Sequence, residues 1–131
     1  RPEPEPDPDR PGFTGTIEMR PGTMADLDAP DVRSAFTPGT DLIMAASRGD
    51  MYFATSSGAL IGSPYGFSSM SLQRRCENAR ERGTIDSSDA PAAVWPSGEE
   101  VCFISSEGAL GVLVVQFTNP ERAAFDVFLF E

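Results

Sequence analysis

The sequence predicts a mainly β protein: an antiparallel sandwich or barrel of about 8–10 short strands, with one short helix over about residues 69–82. Three observations lead there. Turn-forming residues recur roughly every ten residues between short alternating or apolar runs. Only one stretch carries a convincing helical stripe. And two ten-residue stretches, fifty positions apart, align without a gap: Met51 to Leu60 reads MYFATSSGAL, and Val101 to Leu110 reads VCFISSEGAL. Phe, Ser, Gly, Ala and Leu are identical in register. Each copy reads as a strand, a polar tight turn on Gly and a returning strand, which is either a pseudo-duplication framing the sheet or a coincidence of common Ser-Gly turns.

Residues 1–12 alternate proline with acids (RPEPEPDPDRPG). Proline fixes φ and removes donors, and like charges repel, so an extended acidic linker is expected, followed by one β-rich domain over residues 13–131. Such a spacer suits a membrane anchor, a lipid anchor or another domain upstream. Phe13 to Met19 alternates as a strand. Arg20-Pro21-Gly22 places Pro and Gly as a type II turn requires, and Thr23 to Asp28 resumes extended structure. Asp26, Asp28 and Asp31 invite a calcium reading, because oxygen-ligand loops place acids at alternate positions. A Leu and a Pro interleave, however, and no Gly follows at the sharp turn, so outward-facing acids at a strand end are expected instead. Pro30 to Pro38 reads as loop, with a short helical turn at Val32 to Phe36. Asp41 to Ser47 carries consecutive Leu42, Ile43 and Met44, which suits a strand buried on both faces. Arg48-Gly49-Asp50 spells an adhesion tripeptide but reads as a turn between strands.

The helix has Ser68 or Ser69 as its expected N-cap, an inward stripe of Leu72, Cys76 and Ala79, and Gly83 as its C-terminal cap. Cys76 therefore points at the sheet, while Cys102 lies in the second repeated strand. A disulfide is preferred over two reduced thiols. It would close a loop of about 25 residues and remove roughly 3–4 kcal/mol of unfolded-state entropy. The outward face carries Arg74, Arg75, Arg80 and Arg82, four of the ten arginines. They are a candidate anion site, since guanidinium suits carboxylate or phosphate, or else a solvated face paired to Glu77 and Glu81. Thr84 to Asp86 and Ala93 to Trp95 are short extended candidates. Trp95, the single Trp, is either core packing or a sugar-stacking platform. Glu100 to Ser106 and Ala109 to Thr118 form the second hairpin. Asn119-Pro120 turns the chain into a last strand, Ala123 to Phe130, apolar on both faces. That pattern fits a central strand or one covered by a second copy of the chain.

Composition excludes several function classes. Formal net charge is −10, all ten cations are Arg, and His is absent. Nucleic acid is not expected as a partner, because phosphate contacts need clustered cations. Without His or Lys there is no Ser-His-Asp triad, no Cys-His pair, no Schiff base and no His-ligated metal. No CxxC framework exists for zinc, and no apolar run is long enough for a membrane span. No cofactor, metal or catalytic residue is assigned.

The run Asp26-Leu27-Asp28, the entry Gly39-Thr40-Asp41-Leu42, a helix with one Cys and the stretch Val101-Cys102-Phe103 through Glu107-Gly108 together resemble a known pattern. It is that of small extracytoplasmic domains of actinobacterial secreted proteins, lipoproteins and membrane-anchored Ser/Thr kinases. The chain departs from it by lacking the two Arg that follow the second cysteine, and by Phe130 in place of a terminal Trp. The resemblance implies a β-rich fold, a paired Cys76–Cys102 and an extracytoplasmic location, and it carries no activity.

The function expected is a non-enzymatic extracytoplasmic binding, sensor or interaction module on an acidic tether, taking a protein or cell-envelope ligand. Its candidate site lies around the Arg-bearing helix and Trp95. One alternative is a carboxylate hydrolase of glycosidase type drawing on Asp26, Asp28, Asp41, Asp50, Glu99, Glu100 or Glu107. Another is an oligomerisation domain, a homodimer formed through the C-terminal strand.

Overall fold

The structure, a computed structural model, describes residues 12–35, 39–47, 50–91, 95–119 and 121–130. The leader up to residue 11, Phe36, Arg48-Gly49, the Ala93 segment and Pro120 lie outside the described residues, as do the side chains of Ser47, Asp50, Ala90 and Pro91. Among the described residues, ten strands form two five-stranded antiparallel sheets. In chain order the elements are β1 (Phe13–Met19), β2 (Met24–Asp26), β3 (Asp31–Arg33), β4 (Leu42–Ser47), β5 (Asp50–Thr55), β6 (Leu60–Gly62), α1 (Leu72–Glu81), β7 (Asp89–Pro91), β8 (Glu100–Ile104), β9 (Leu110–Thr118) and β10 (Ala123–Leu129). The first sheet runs β1-β10-β9-β8-β6, and the second runs β3-β2-β4-β5-β7.

Alternation along the strands decides the layers. Val101 and Phe103 of β8, Leu113 and Val115 of β9, and Phe125 and Val127 of β10 meet Ala25, Leu42, Met44 and Phe53 of the second sheet in one core. The intervening residues of the first sheet, Cys102, Leu110, Val112 and Phe128, form a second core with Cys76, Ala79 and Ile85 around α1. The molecule is thus a sandwich with a helix on the outer face of one sheet. This arrangement accounts for β10. It lies between β1 and β9, its Phe125 face is in the inter-sheet core, and its Phe128 and Phe130 side belongs to the helix-side cluster. Both apolar faces are therefore covered within the chain.

Three expectations change. The helix begins at Leu72, not near residue 69, and its N-cap is Ser71, whose hydroxyl oxygen accepts from the Arg74 N–H at 3.1 Å. Ser68 and Ser69 instead belong to a preceding turn closed by Met70 N–H donating to Phe67 O. The helix ends as expected at Gly83, with Gly83 N–H donating to Arg80 O and Thr84 N–H to Ala79 O. Val32 is in strand β3, paired with Ala25, rather than in a helical turn. In β4, Leu42 and Met44 are fully buried but Ile43 is only half-buried, because α1 covers the other sheet.

The repeated segments are used in two ways. In the second copy, Ser105 N–H donates to Ala109 O and Gly108 N–H to Ser105 O, and β8 pairs with β9 as a hairpin. In the first copy the turn also closes, with Ala59 N–H donating to Ser56 O and positive φ at Ser57 (58°) and Gly58 (86°). Its strands, however, belong to different sheets. β5 pairs with β4 and β7, while β6 crosses over to pair with β8, Leu60 opposite Ile104 and Gly62 opposite Cys102. The same strand-turn-strand unit is a hairpin in one place and a corner between sheets in the other.

Candidate functional site

Two places gather chemistry. The first is at the start of β4. Asp41 is fully buried, and its groups tie four segments together. Its N–H donates to Ala25 O at 2.8 Å, its Oδ2 accepts from Leu27 N–H at 2.7 Å, its Oδ1 accepts from Ser106 N–H at 2.6 Å, and its carbonyl accepts from Ser56 N–H at 3.1 Å. Ser56 and Ser106 are equivalent positions of the two repeated segments. Asp41 therefore holds one copy by its backbone and the other by its carboxylate.

Asp26 and Asp28 converge on the same point. Carboxylate oxygens of Asp26, Asp28 and Asp41 lie within 4.8 Å of one another, and Asp28 N–H donates to Asp26 Oδ1 at 3.0 Å. Asp28 Oδ2 is buried without a hydrogen-bond partner. Burial raises the Asp28 carboxyl above the ordinary aspartate range; a hydrogen bond with Ser105 opposes this, and the charges of Glu107 and Asp26 add to it. Burial also raises Asp41, against the bonds from Ser106 and Leu27. The expectation that Asp26 and Asp28 are outward-facing acids is thus replaced by an inward cluster, while Asp31 is exposed and pairs with Arg33 at 2.8 Å. Three carboxylates at this spacing are acceptors that suit a proton or a hard, oxygen-preferring cation. Both oxygens of Asp41 already accept backbone N–H groups. The sequence signal for Asp41 was its place immediately before an apolar run, where an acid has to be matched by backbone donors to be buried.

The second place is a surface pocket of about 340 Å3 lined by residues flanking α1 and by the seam of the sandwich. Ser63, Pro64 and Tyr65 lead into the helix, Thr84 and Ser87 leave it, Asp89 comes from β7, and Trp95 and Glu99 precede β8. Ile61 and Ser87 exchange two backbone hydrogen bonds of 2.9 Å, which closes the edge of β6 beneath the pocket. A side chain on Gly62 would collide with Thr84 O and lie 2.7 Å from Ile85 Cα, so the post-helix segment can lie here only because residue 62 is glycine.

The helix positions the pocket's outer wall. Cys76 and Cys102 form a disulfide, with Cα atoms 5.6 Å apart and a sequence separation of 26. Arg75 reaches Glu100 at 2.9 Å. Tyr65 N–H donates to Arg75 O at 3.0 Å, and Asn78 Nδ2 donates to Tyr65 O at 3.3 Å. The Arg82 guanidinium lies 4.1 Å over the Tyr65 ring.

The helix arginines go to different partners. Arg74 approaches Glu77 at 4.0 Å, Arg75 is bound to Glu100, Arg82 stacks on Tyr65, and Arg80 is exposed on the last turn. Trp95 borders the pocket but is only 5% exposed. Its ring stacks on Phe53 at 4.6 Å and meets Phe125 edge-on. The two large apolar side chains that are exposed among the described residues, Tyr65 at 44% and Phe67 at 80%, are both on the loop beside the pocket. Sequence reasoning did not single out that loop, since a Gly-Pro-aromatic connection carries no periodic signal.

No helix among the described residues is long and apolar enough to cross a membrane. The chain matches no protein-family model, and no curated protein and no solved structure shows significant similarity to it.

Proposed function

We propose that the chain is a non-enzymatic extracytoplasmic binding module whose ligand site is the pocket between the flanks of α1 and the seam of the sandwich. The observation that carries this reading is the pocket itself, with hydroxyls, two carboxylates and an exposed aromatic loop brought to one place by a disulfide-pinned helix. The disulfide supports an oxidising compartment, where such bonds persist. The resemblance to actinobacterial extracytoplasmic domains fits the same setting, with a protein or cell-envelope component as the ligand.

The hydrolase alternative needs two accessible acids across a cleft. Asp28 and Asp41 do face one another with raised proton affinity, but Asp41 is inaccessible and its oxygens are engaged by backbone donors; the accessible acids that share a cavity are Asp89 and Glu99, so this alternative rests on that pair. With β10 covered on both faces, nothing favours a second copy there.

Amide chemical-shift mapping with a panel of small cationic, anionic and neutral sugar probes tests the proposal. Shifts concentrated on Ser63 to Tyr65, Thr84, Ser87, Asp89 and the Trp95 indole are expected. Turnover of a glycoside by the protein, abolished by Asp28→Asn or by Glu99→Gln, would overturn it.

A further inference from the structure

We infer that the pocket takes a cationic group: the guanidinium or ammonium tip of a basic side chain presented by a protein partner. This rests on the pocket being the ligand site and adds the chemistry of its occupant. Asp89 and Glu99 line it and, among the described residues, no arginine does, so an incoming positive charge meets two carboxylates, with Arg82 held on the ring of Tyr65. Asp89 is exposed and Glu99 half-exposed, so both are within reach of a ligand. The neighbouring Glu100 is held by Arg75, which leaves Asp89 and Glu99 as the acids turned to the pocket.

The aromatic groups point the same way. A sugar needs an open aromatic face to stack on, and Phe67, the more exposed aromatic of the loop, is not among the residues that line the pocket. Trp95 has one face against Phe53 and almost no exposure. One face of Tyr65 is already under the Arg82 guanidinium. That contact shows the environment at this ring to be one that holds a guanidinium. The hydroxyls of Ser63, Thr84 and Ser87 add acceptors for its N–H groups. Tyr65 and Phe67 beside the pocket offer apolar contact to the chain that carries the basic residue. A formal charge of −10 steers such a partner toward the molecule.

The test uses Nα-acetyl-arginine methylamide against its citrulline isostere, which has the same shape and no charge. Trp95, as the single Trp, reports by fluorescence, and amide shifts locate the site. The arginine compound is expected to saturate a change in Trp95 emission and to shift Tyr65, Thr84 and Ser87, while the citrulline compound does neither. Binding should weaken as sodium chloride rises, and Asp89→Asn and Glu99→Gln should each weaken it about two- to fivefold with the thermal midpoint unchanged. Equal binding of both compounds, or binding of a neutral disaccharide in their place, would overturn the cationic assignment while leaving the pocket as the site. Spermidine binding as tightly as an arginine-containing tetrapeptide would overturn the protein partner. Silence of Trp95 and the lining amides to every probe would overturn the pocket itself.

Discussion

Asp41 shows what one residue can settle in this fold. Its carboxylate is buried, which costs desolvation, and two backbone N–H groups, from Leu27 and Ser106, offset part of that cost. The balance still raises its proton affinity, as it does for Asp28. A carboxyl whose folded pKa lies above its unfolded value stabilises the fold below the unfolded pKa, and that stability is lost as pH rises through the folded value. The two aspartates therefore respond differently to substitution. Asp28→Asn removes a buried charge with an unpartnered oxygen. It is expected to raise stability at neutral pH, with the gain shrinking as pH falls through the aspartate range, measured by urea unfolding of both proteins from pH 3.5 to 7. Asp41→Ala leaves two N–H groups without partners and should lower stability by about 2–6 kcal/mol, at about 1–3 kcal/mol each. Destabilisation by Asp28→Asn at pH 7 would show that its carboxylate is required in charged form.

At the scale of elements, α1 was the most legible. Its stripe of Leu72, Cys76 and Ala79 packs inward and Gly83 ends it, because these are local signals set by a 3.6-residue period and cap chemistry. Its start was misplaced by one turn, since Ser68, Ser69 and Ser71 are chemically equivalent caps and only the tertiary turn at Phe67–Met70 selects among them. β6 was the least legible. A tight turn on Gly predicts a hairpin, but Thr55 N–H donates to Ser88 O and Ser56 N–H to Asp41 O, which keeps β5 in the second sheet while β6 departs for the first. Those partners are distant in sequence, so the segment's own residues do not encode the crossing. Gly62 is where β6 meets the chain leaving the helix. Gly62→Ala should cost about 1–3 kcal/mol through overpacking and should alter amide shifts at Thr84 and Ile85 before any others. Unchanged stability would mean that these two segments are not in contact.

For the whole molecule, composition and turn spacing sufficed for a mainly β fold, sandwich or barrel, because an antiparallel sheet with one face inward leaves a period-two trace. Sheet order and the two clusters of acids were not legible. The Asp26, Asp28 and Asp41 group depends on the pairing of β2 with β4, and the pocket depends on how α1's two flanks return to the seam. The same disulfide that anchors α1 over the first sheet thereby fixes the pocket's outer wall. Closing a loop across 26 positions restricts the unfolded chain by about 3.5 kcal/mol in the entropy model. The double variant Cys76→Ser with Cys102→Ser should lose stability on that scale, and α1 amides should lose hydrogen-exchange protection ahead of those in β9 and β10. Uniform loss of protection across all three would place the helix in the same cooperative unit as the sheet.

The anchoring of α1, the proposed extracytoplasmic setting and the proposed ligand pocket all rest on the bond between Cys76 and Cys102. Counting free thiols in the denatured protein, isolated from the cells that produce it with thiols trapped at lysis, addresses it most directly. No reactive thiol before reduction and two after it are the predicted result. Two reactive thiols before reduction would contradict the pinned helix and, with it, the proposed oxidising compartment and the anchoring of the segments on either side of α1 that line the pocket.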